Sequence, residues 1–100
     1  MVKLGILAKL VAKPGKEEEV AAFLTGALPL AQDEGATVFW FALRLSKNEF
    51  AVFDAFPDEA GRMAHLNGPI AAALMARSAE LFAEAPRIDK VDLLAAKPLG

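Results

Sequence analysis

Few side chains in this chain can move a proton near neutral pH, and the two of greatest interest lie eleven residues apart. His65 is the sole histidine. It is therefore the one side chain whose unperturbed pKa, about 6.5, makes both protonation states accessible at neutral pH. It stands near the end of a short helix predicted over 57–66, where the helix dipole favours the imidazolium and burial favours the neutral ring. Asp54 interrupts an apolar strand, Phe50-Ala51-Val52-Phe53-Asp54-Ala55-Phe56, on the face it shares with Val52 and Phe56. A carboxylate buried there must be paired or protonated. Arg44, Arg62 and the start of the following helix are the partners open to it; the alternative is a carboxylate on the wall of an apolar pocket.

The remaining candidates are sparse. Trp40, the only tryptophan, falls on the same strand face as Arg44, opposite Phe39 and Phe41, and reads as core, interface or pocket wall. Asn67 precedes Gly68-Pro69 and reads as a helix cap. No Gly-x-Ser-x-Gly, Walker loop or Gly-x-Gly-x-x-Gly is present, so hydrolase and nucleotide chemistry lack support. The absence of cysteine, with a single histidine, rules out disulfides, thiolate chemistry and a multi-histidine metal cluster.

The elements that must position these residues follow from periodicity. Val2 to Lys13 alternates with period two and predicts a strand. Lys16 to Glu34 predicts a helix with acidic residues in its first turn and an apolar stripe, kinked or divided by Pro29. Thr37 to Ser46 and Glu49 to Phe56 form a hairpin around Lys47-Asn48, apolar on both faces. Pro57 to Leu66 predicts a short helix, and Gly68-Pro69 opens a longer one to about Glu84. Ile88 to Lys97 alternates again as the last strand. The order β-α-β-β-α-α-β is the split arrangement of the ferredoxin-like α+β class, an antiparallel sheet with helices on one face. With 55% apolar residues in one hundred, the other face is too apolar for water, and a second copy packed sheet to sheet would cover it.

Composition bounds the rest. One hundred residues make a single domain, 1–100. A net charge of −2, with no basic cluster interleaved with aromatics, argues against nucleic acid. No window of 18 apolar residues predicts a membrane span. Lys3 and Lys9 break the apolar N-terminal run, which leaves no signal peptide and a cytoplasmic location as the default.

The run Asp54-x-Phe56-x-Asp58-x-x-Gly61-x-x-x-His65 resembles the pattern Glu-x-aromatic-x-Asp-x-x-Ala-x-x-x-His of the antibiotic biosynthesis monooxygenase domain family. It lies in the same place, the last hairpin strand running into a helix. Glu34-Gly35-Ala36-Thr37 similarly resembles that family's acidic-glycine lead-in to its second strand. The resemblance implies a dimeric α+β barrel that oxygenates a small quinol or polycyclic phenol with dioxygen and without metal, flavin or haem. In that reading His65 is the general base or hydrogen-bonding residue and Asp54 orients it. Trp40, Phe53 and Phe56 are aromatic walls, and Asn67 completes the substrate-binding set. A non-catalytic dimeric ligand-binding or stress-related module of the same fold is the alternative. Haem degradation is disfavoured, since the first strand carries no Asn and Phe occupies position 56.

Overall fold

The computed structural model describes residues 1–97. Four strands, β1 (Leu4–Val11), β2 (Phe39–Arg44), β3 (Glu49–Phe56) and β4 (Arg87–Asp92), form one antiparallel sheet in the order β2-β3-β1-β4. Helices α1 (Glu17–Gly26), α2 (Leu28–Asp33), α3 (Glu59–Leu66), α4 (Pro69–Ala76) and α5 (Ser78–Leu81) complete the fold. This is the α+β ferredoxin-like architecture expected from the element order. No helix among the described residues is long and apolar enough to cross a membrane.

Pro29 divides the first predicted helix rather than bending it. Ala27 separates α1 from α2, and the proline falls in the first turn of α2, where its missing N–H costs no hydrogen bond. The third helix starts two residues later than predicted because Asp58 caps it: its side chain accepts from the Gly61 N–H at 2.9 Å.

Two expected bounds are corrected. The long helix predicted to Glu84 breaks at Arg77 and ends at Leu81. Phe82 turns extended to bridge Ala12, with the Ala83 N–H donating to the Val11 carbonyl. Tertiary pairing with the end of β1 takes over before Pro86 is reached. The last strand stops at Asp92, not Lys97: Asp92 pairs with Leu4, the first residue of β1, and one further hydrogen bond, from the Leu93 N–H to the Lys3 carbonyl, follows it.

Alternation sorts the sheet into two faces. Ile6, Ala8 and Leu10 of β1, with Phe50, Val52 and Phe56 of β3, turn toward the helices and are buried. There Ala8, Leu10, Phe50 and Val52 pack with Val20, Leu24, Leu74, Leu81 and Phe82. The opposite face carries Phe39, Phe41, Leu43 and Phe53, with Phe41 52% and Leu43 44% exposed. Phe39 and Phe41 stack along it with ring centroids 6.3 Å apart.

Gly5 leaves no room for a side chain within the sheet. A Cβ there would lie 2.9 Å from the Asp54 carbonyl oxygen and 3.1 Å from side-chain atoms of Phe53 and Val91. Gly5→Ala is expected to cost about 1–3 kcal/mol by overpacking, read as a lowered midpoint in thermal unfolding. An unchanged midpoint would mean the strands part freely at this position.

Candidate functional site

The site forms where three segments converge on His65. The imidazole sits in the last turn of α3 and is 7% exposed. Its Nε2 stands 2.9 Å from Asp54 Oδ2 of β3 as an ion pair, and its Nδ1 is hydrogen-bonded to Glu34 Oε1 at 2.5 Å. Phe56 of β3 lies against the ring, centroids 5.5 Å apart.

Burial pulls the His65 pKa down, but hydrogen bonds to Asp54 and Glu34, and the charges of both carboxylates, outweigh it and raise the value to about 9. The residue is therefore an imidazolium at neutral pH. With both nitrogens protonated and engaged, it has no lone pair for a substrate proton or a metal ion. Both ring nitrogens face carboxylate oxygens, an arrangement that suits the hydrogen-bonding role implied for His65.

Glu34 is the member that sequence reading did not assign to the site. It caps the C-terminus of α2, and the turn that follows closes on itself. The Thr37 N–H donates to the Glu34 carbonyl at 3.0 Å, and Thr37 Oγ1 donates to Glu34 Oε1 at 2.8 Å. Ala36 of this turn packs on α3 at Gly61, where a Cβ would stand 3.2 Å from the Ala36 Cβ. Gly68 makes room on the other side: a Cβ there would lie 3.3 Å from Glu34 Oε2. The acidic-glycine run was the available signal, read as a strand lead-in and not as a ligand to His65.

Asp54 is 1% exposed, and neither arginine considered for it is its partner. Arg44 reaches Glu18 of α1 at 2.9 Å. Arg62 pairs with Glu59 and donates to the Gly5 and Val91 carbonyls at 3.3 Å, tying α3 to β1 and β4. Asp54 therefore depends on His65 for its compensation. Its second oxygen, Oδ1, is buried and has no protein partner; the same holds for Glu34 Oε2 and Trp40 Nε1. Buried polar atoms left unpaired are few in a folded chain, and two of these three belong to residues that line one chamber.

That chamber measures about 50 Å³ and lies between the sheet and the helices. Ile6, Trp40, Val52 and Asp54 floor it, and Leu24, His65, Ile70 and Leu74 cover it. Apart from Asp54 and His65, the residues that line it are apolar. Trp40 and Asp54 are directly paired across the β2–β3 ladder.

The other expected wall residues fall elsewhere. Phe53 lies on the opposite face of the sheet, beside Phe39 and Phe41, so it does not line the cavity with Asp54 and His65. Phe56 is fully buried and supports the imidazole from the side without lining the chamber. Asn67 is the exposed residue ending α3; Gly68 takes the N-cap position of α4, and no side-chain hydrogen bond caps that helix. Among the described residues, no group of three or more His, Cys, Asp and Glu is disposed to hold a metal ion.

No family model matches the chain. No curated protein matches it either. Among solved structures, a Nitrosomonas europaea protein of unknown function is 58% identical over 100% of this chain and 98% of its own, with a TM-score of 0.96. A candidate antibiotic biosynthesis monooxygenase from Caulobacter crescentus superposes with a TM-score of 0.79 at 18% identity, over 94% of this chain and 92% of that one. A second candidate of that description, from Nitrosomonas europaea, gives 0.81 at 14% identity over 92% and 90%. At these lower identities the likeness is one of fold.

Proposed function

Because the chain belongs to the family of the Nitrosomonas europaea protein of unknown function, and shares its fold with candidate antibiotic biosynthesis monooxygenases, we propose that it is an oxygenase. Its substrates are a small hydroxylated aromatic and dioxygen, and it needs no metal, flavin or haem. The observation that carries this reading is Asp54 Oδ1, a carboxylate oxygen without a partner at the wall of an apolar chamber, backed by the His65 imidazolium on Oδ2.

The chemistry assigns each residue a task. Asp54 accepts the proton of the substrate hydroxyl, and the electron-rich ring then passes an electron to dioxygen. The hydrocarbon walls exclude water from the radical pair. One oxygen atom joins a ring carbon, converting C–H to C–OH. The other leaves as water with the two hydroxyl hydrogens as the quinol becomes a quinone. The substrate supplies all four electrons, so the reaction balances without a further reductant. His65 holds Asp54 in place and Glu34 holds His65, which makes both positioning residues.

Oxygen uptake with a panel of hydroquinones tests the reading. The expected result is one dioxygen consumed per hydroxyquinone formed, with activity lost in Asp54→Asn. Binding of the same compounds with no oxygen uptake would return the protein to the non-catalytic ligand-binding class.

The working unit in this proposal is a homodimer. The support is the uncovered face of Phe39, Phe41, Leu43 and Phe53, where a second sheet would remove Phe41 and Leu43 from water. Sedimentation at micromolar concentration is expected to give a dimer, and Phe41→Glu a monomer that keeps its fold by circular dichroism. A wild-type monomer would refute the assembly.

A further inference from the structure

Residues 27–34, which carry α2, sit against Trp40 with little packing to fix them there. Of the six residues in α2 only Ala31 is buried, and it clusters with Ala27, Ile70 and Trp40. Leu28 and Leu30 are exposed, so the apolar hold on this segment is that of two alanines, small by area. The segment is also undercut on both flanks. An open groove of about 250 Å³ lies between it, α1 and α4, lined in part by Leu30. Another, of about 360 Å³, lies between it and β2, lined in part by Leu28 and Trp40. Trp40 lines the chamber of Asp54 as well. The same residue therefore borders the chamber and the groove beneath α2.

The two ends of the segment are built differently from its middle. Gly26 closes α1 and Gly35 follows Glu34. Neither is demanded by the structure around it: a Cβ at either would meet nothing within 4 Å beyond its own neighbours in the chain, and neither has a positive φ. A glycine that the folded backbone does not need costs conformational entropy, and hinges are where its freedom is used. Against the loose packing stands one strong contact, the 2.5 Å hydrogen bond between Glu34 and His65. Beyond Gly35 the chain is fixed again, with Ala36 on Gly61 and the Val38 N–H donating to the Ala55 carbonyl.

We propose that residues 27–34 form a lid over Trp40, hinged at Gly26 and Gly35 and latched by the hydrogen bond between Glu34 and His65. Opening breaks that bond, draws Ala31 away from Ile70 and uncovers Trp40 at the chamber wall. His65 stays on α3 with Asp54, so the latch can part without dismantling the rest of the site. The closed chamber of about 50 Å³ falls well short of the roughly 300–1,000 Å³ of ordinary ligand sites, and a lid supplies the missing access. The inference goes beyond the oxygenase reading and does not depend on it, because the lid controls entry whatever the chamber does.

The chain has no cysteine, so a single introduced thiol reports on its own position. Ala31→Cys puts one on the buried side of the lid, and Ala8→Cys puts one in the core between sheet and helices. Labelling with an excess of an aromatic disulfide reagent reads how often each is uncovered. It is expected to be at least about 100-fold faster for Ala31→Cys than for Ala8→Cys and insensitive to low urea, the mark of an opening smaller than global unfolding. Adding Glu34→Gln should speed it about 10-fold by taking the charge out of the latch. Adding Gly26→Ala and Gly35→Ala should slow it about 3-fold or more while raising the thermal midpoint, since alanine fits the closed backbone and restricts the open one. Equal labelling of Ala31→Cys and Ala8→Cys would mean that α2 opens only with the whole fold, and would overturn the lid. Labelling that Glu34→Gln leaves unchanged would overturn the latch. Hydrogen exchange of the Ala31 amide, which donates to the Ala27 carbonyl at 3.1 Å, gives the same comparison in a chain without an introduced thiol.

Discussion

His65→Ala is expected to destabilise the fold by about 3–5 kcal/mol, the usual cost of removing one partner from a buried charged group. Wild-type His65 is a cation between two acids, with side-chain exposures of 8% for the imidazole, 2% for Asp54 and 17% for Glu34. Alanine would leave two carboxylates facing each other across a cavity, each without its main hydrogen-bond donor. A domain of this size has roughly 5–15 kcal/mol in total, so the variant loses a large share of its stability. Urea denaturation followed by Trp40 fluorescence measures the loss. The triple change His65→Ala, Asp54→Asn, Glu34→Gln is expected to be less destabilising than the sum of its parts, because it removes the stranded charges along with the cation. A loss below about 1 kcal/mol for His65→Ala would mean that the clamp is held together by the packing around it and contributes little itself.

Stability is also expected to fall by roughly 3 kcal/mol between pH 6 and pH 10. The folded protein keeps the His65 proton up to about pH 9, whereas an unfolded chain releases it near 6.5. The native state thus binds more protons throughout this interval, and stability declines as pH rises. The contribution is fully present below pH 6.5 and is lost as pH passes through about 9. Urea midpoints across this range, with NMR titration of the one imidazole, give the slope and the native pKa together. His65→Ala should flatten the profile. A wild-type profile already flat over this range would place the imidazole in its neutral form and reopen its role as a base.

Much of the architecture is legible in residue order, and the places where it fails have particular causes. β3 runs over the residues predicted for it because Glu49 to Phe56 is bounded by a turn and a proline, both local signals. The break at Arg77 has no local signal, since neither glycine nor proline stands there; it is imposed by pairing of Phe82 with Ala12, seventy residues away. Glu34 escaped for the same reason. Its distance to His65 depends on how the turn at Ala36 packs against Gly61, which no spacing rule encodes. Phe53 is a different case. Strict alternation already puts it on the face opposite Asp54, and only the family resemblance made it a wall of the site. Where period and analogy disagreed, the period agreed with the structure.

The placement of β1 bears on how the chain acquires its shape. β1 is made first yet lies inside the sheet, with β3 on one edge and β4 on the other. Its first ladder waits for Phe56 and its second for Asp92, so closing the β1–β4 pair means closing a loop of nearly the whole chain. Such non-local pairing slows folding. Until then an alternating apolar strand, Leu4 to Val11, has two unpaired edges and is free to pair with a neighbouring chain. Lys9, exposed on the uncovered face of the sheet, puts a charge in the middle of that segment where it opposes such stacking. The strand that organises the finished fold is also the segment most in need of protection while the fold is being made.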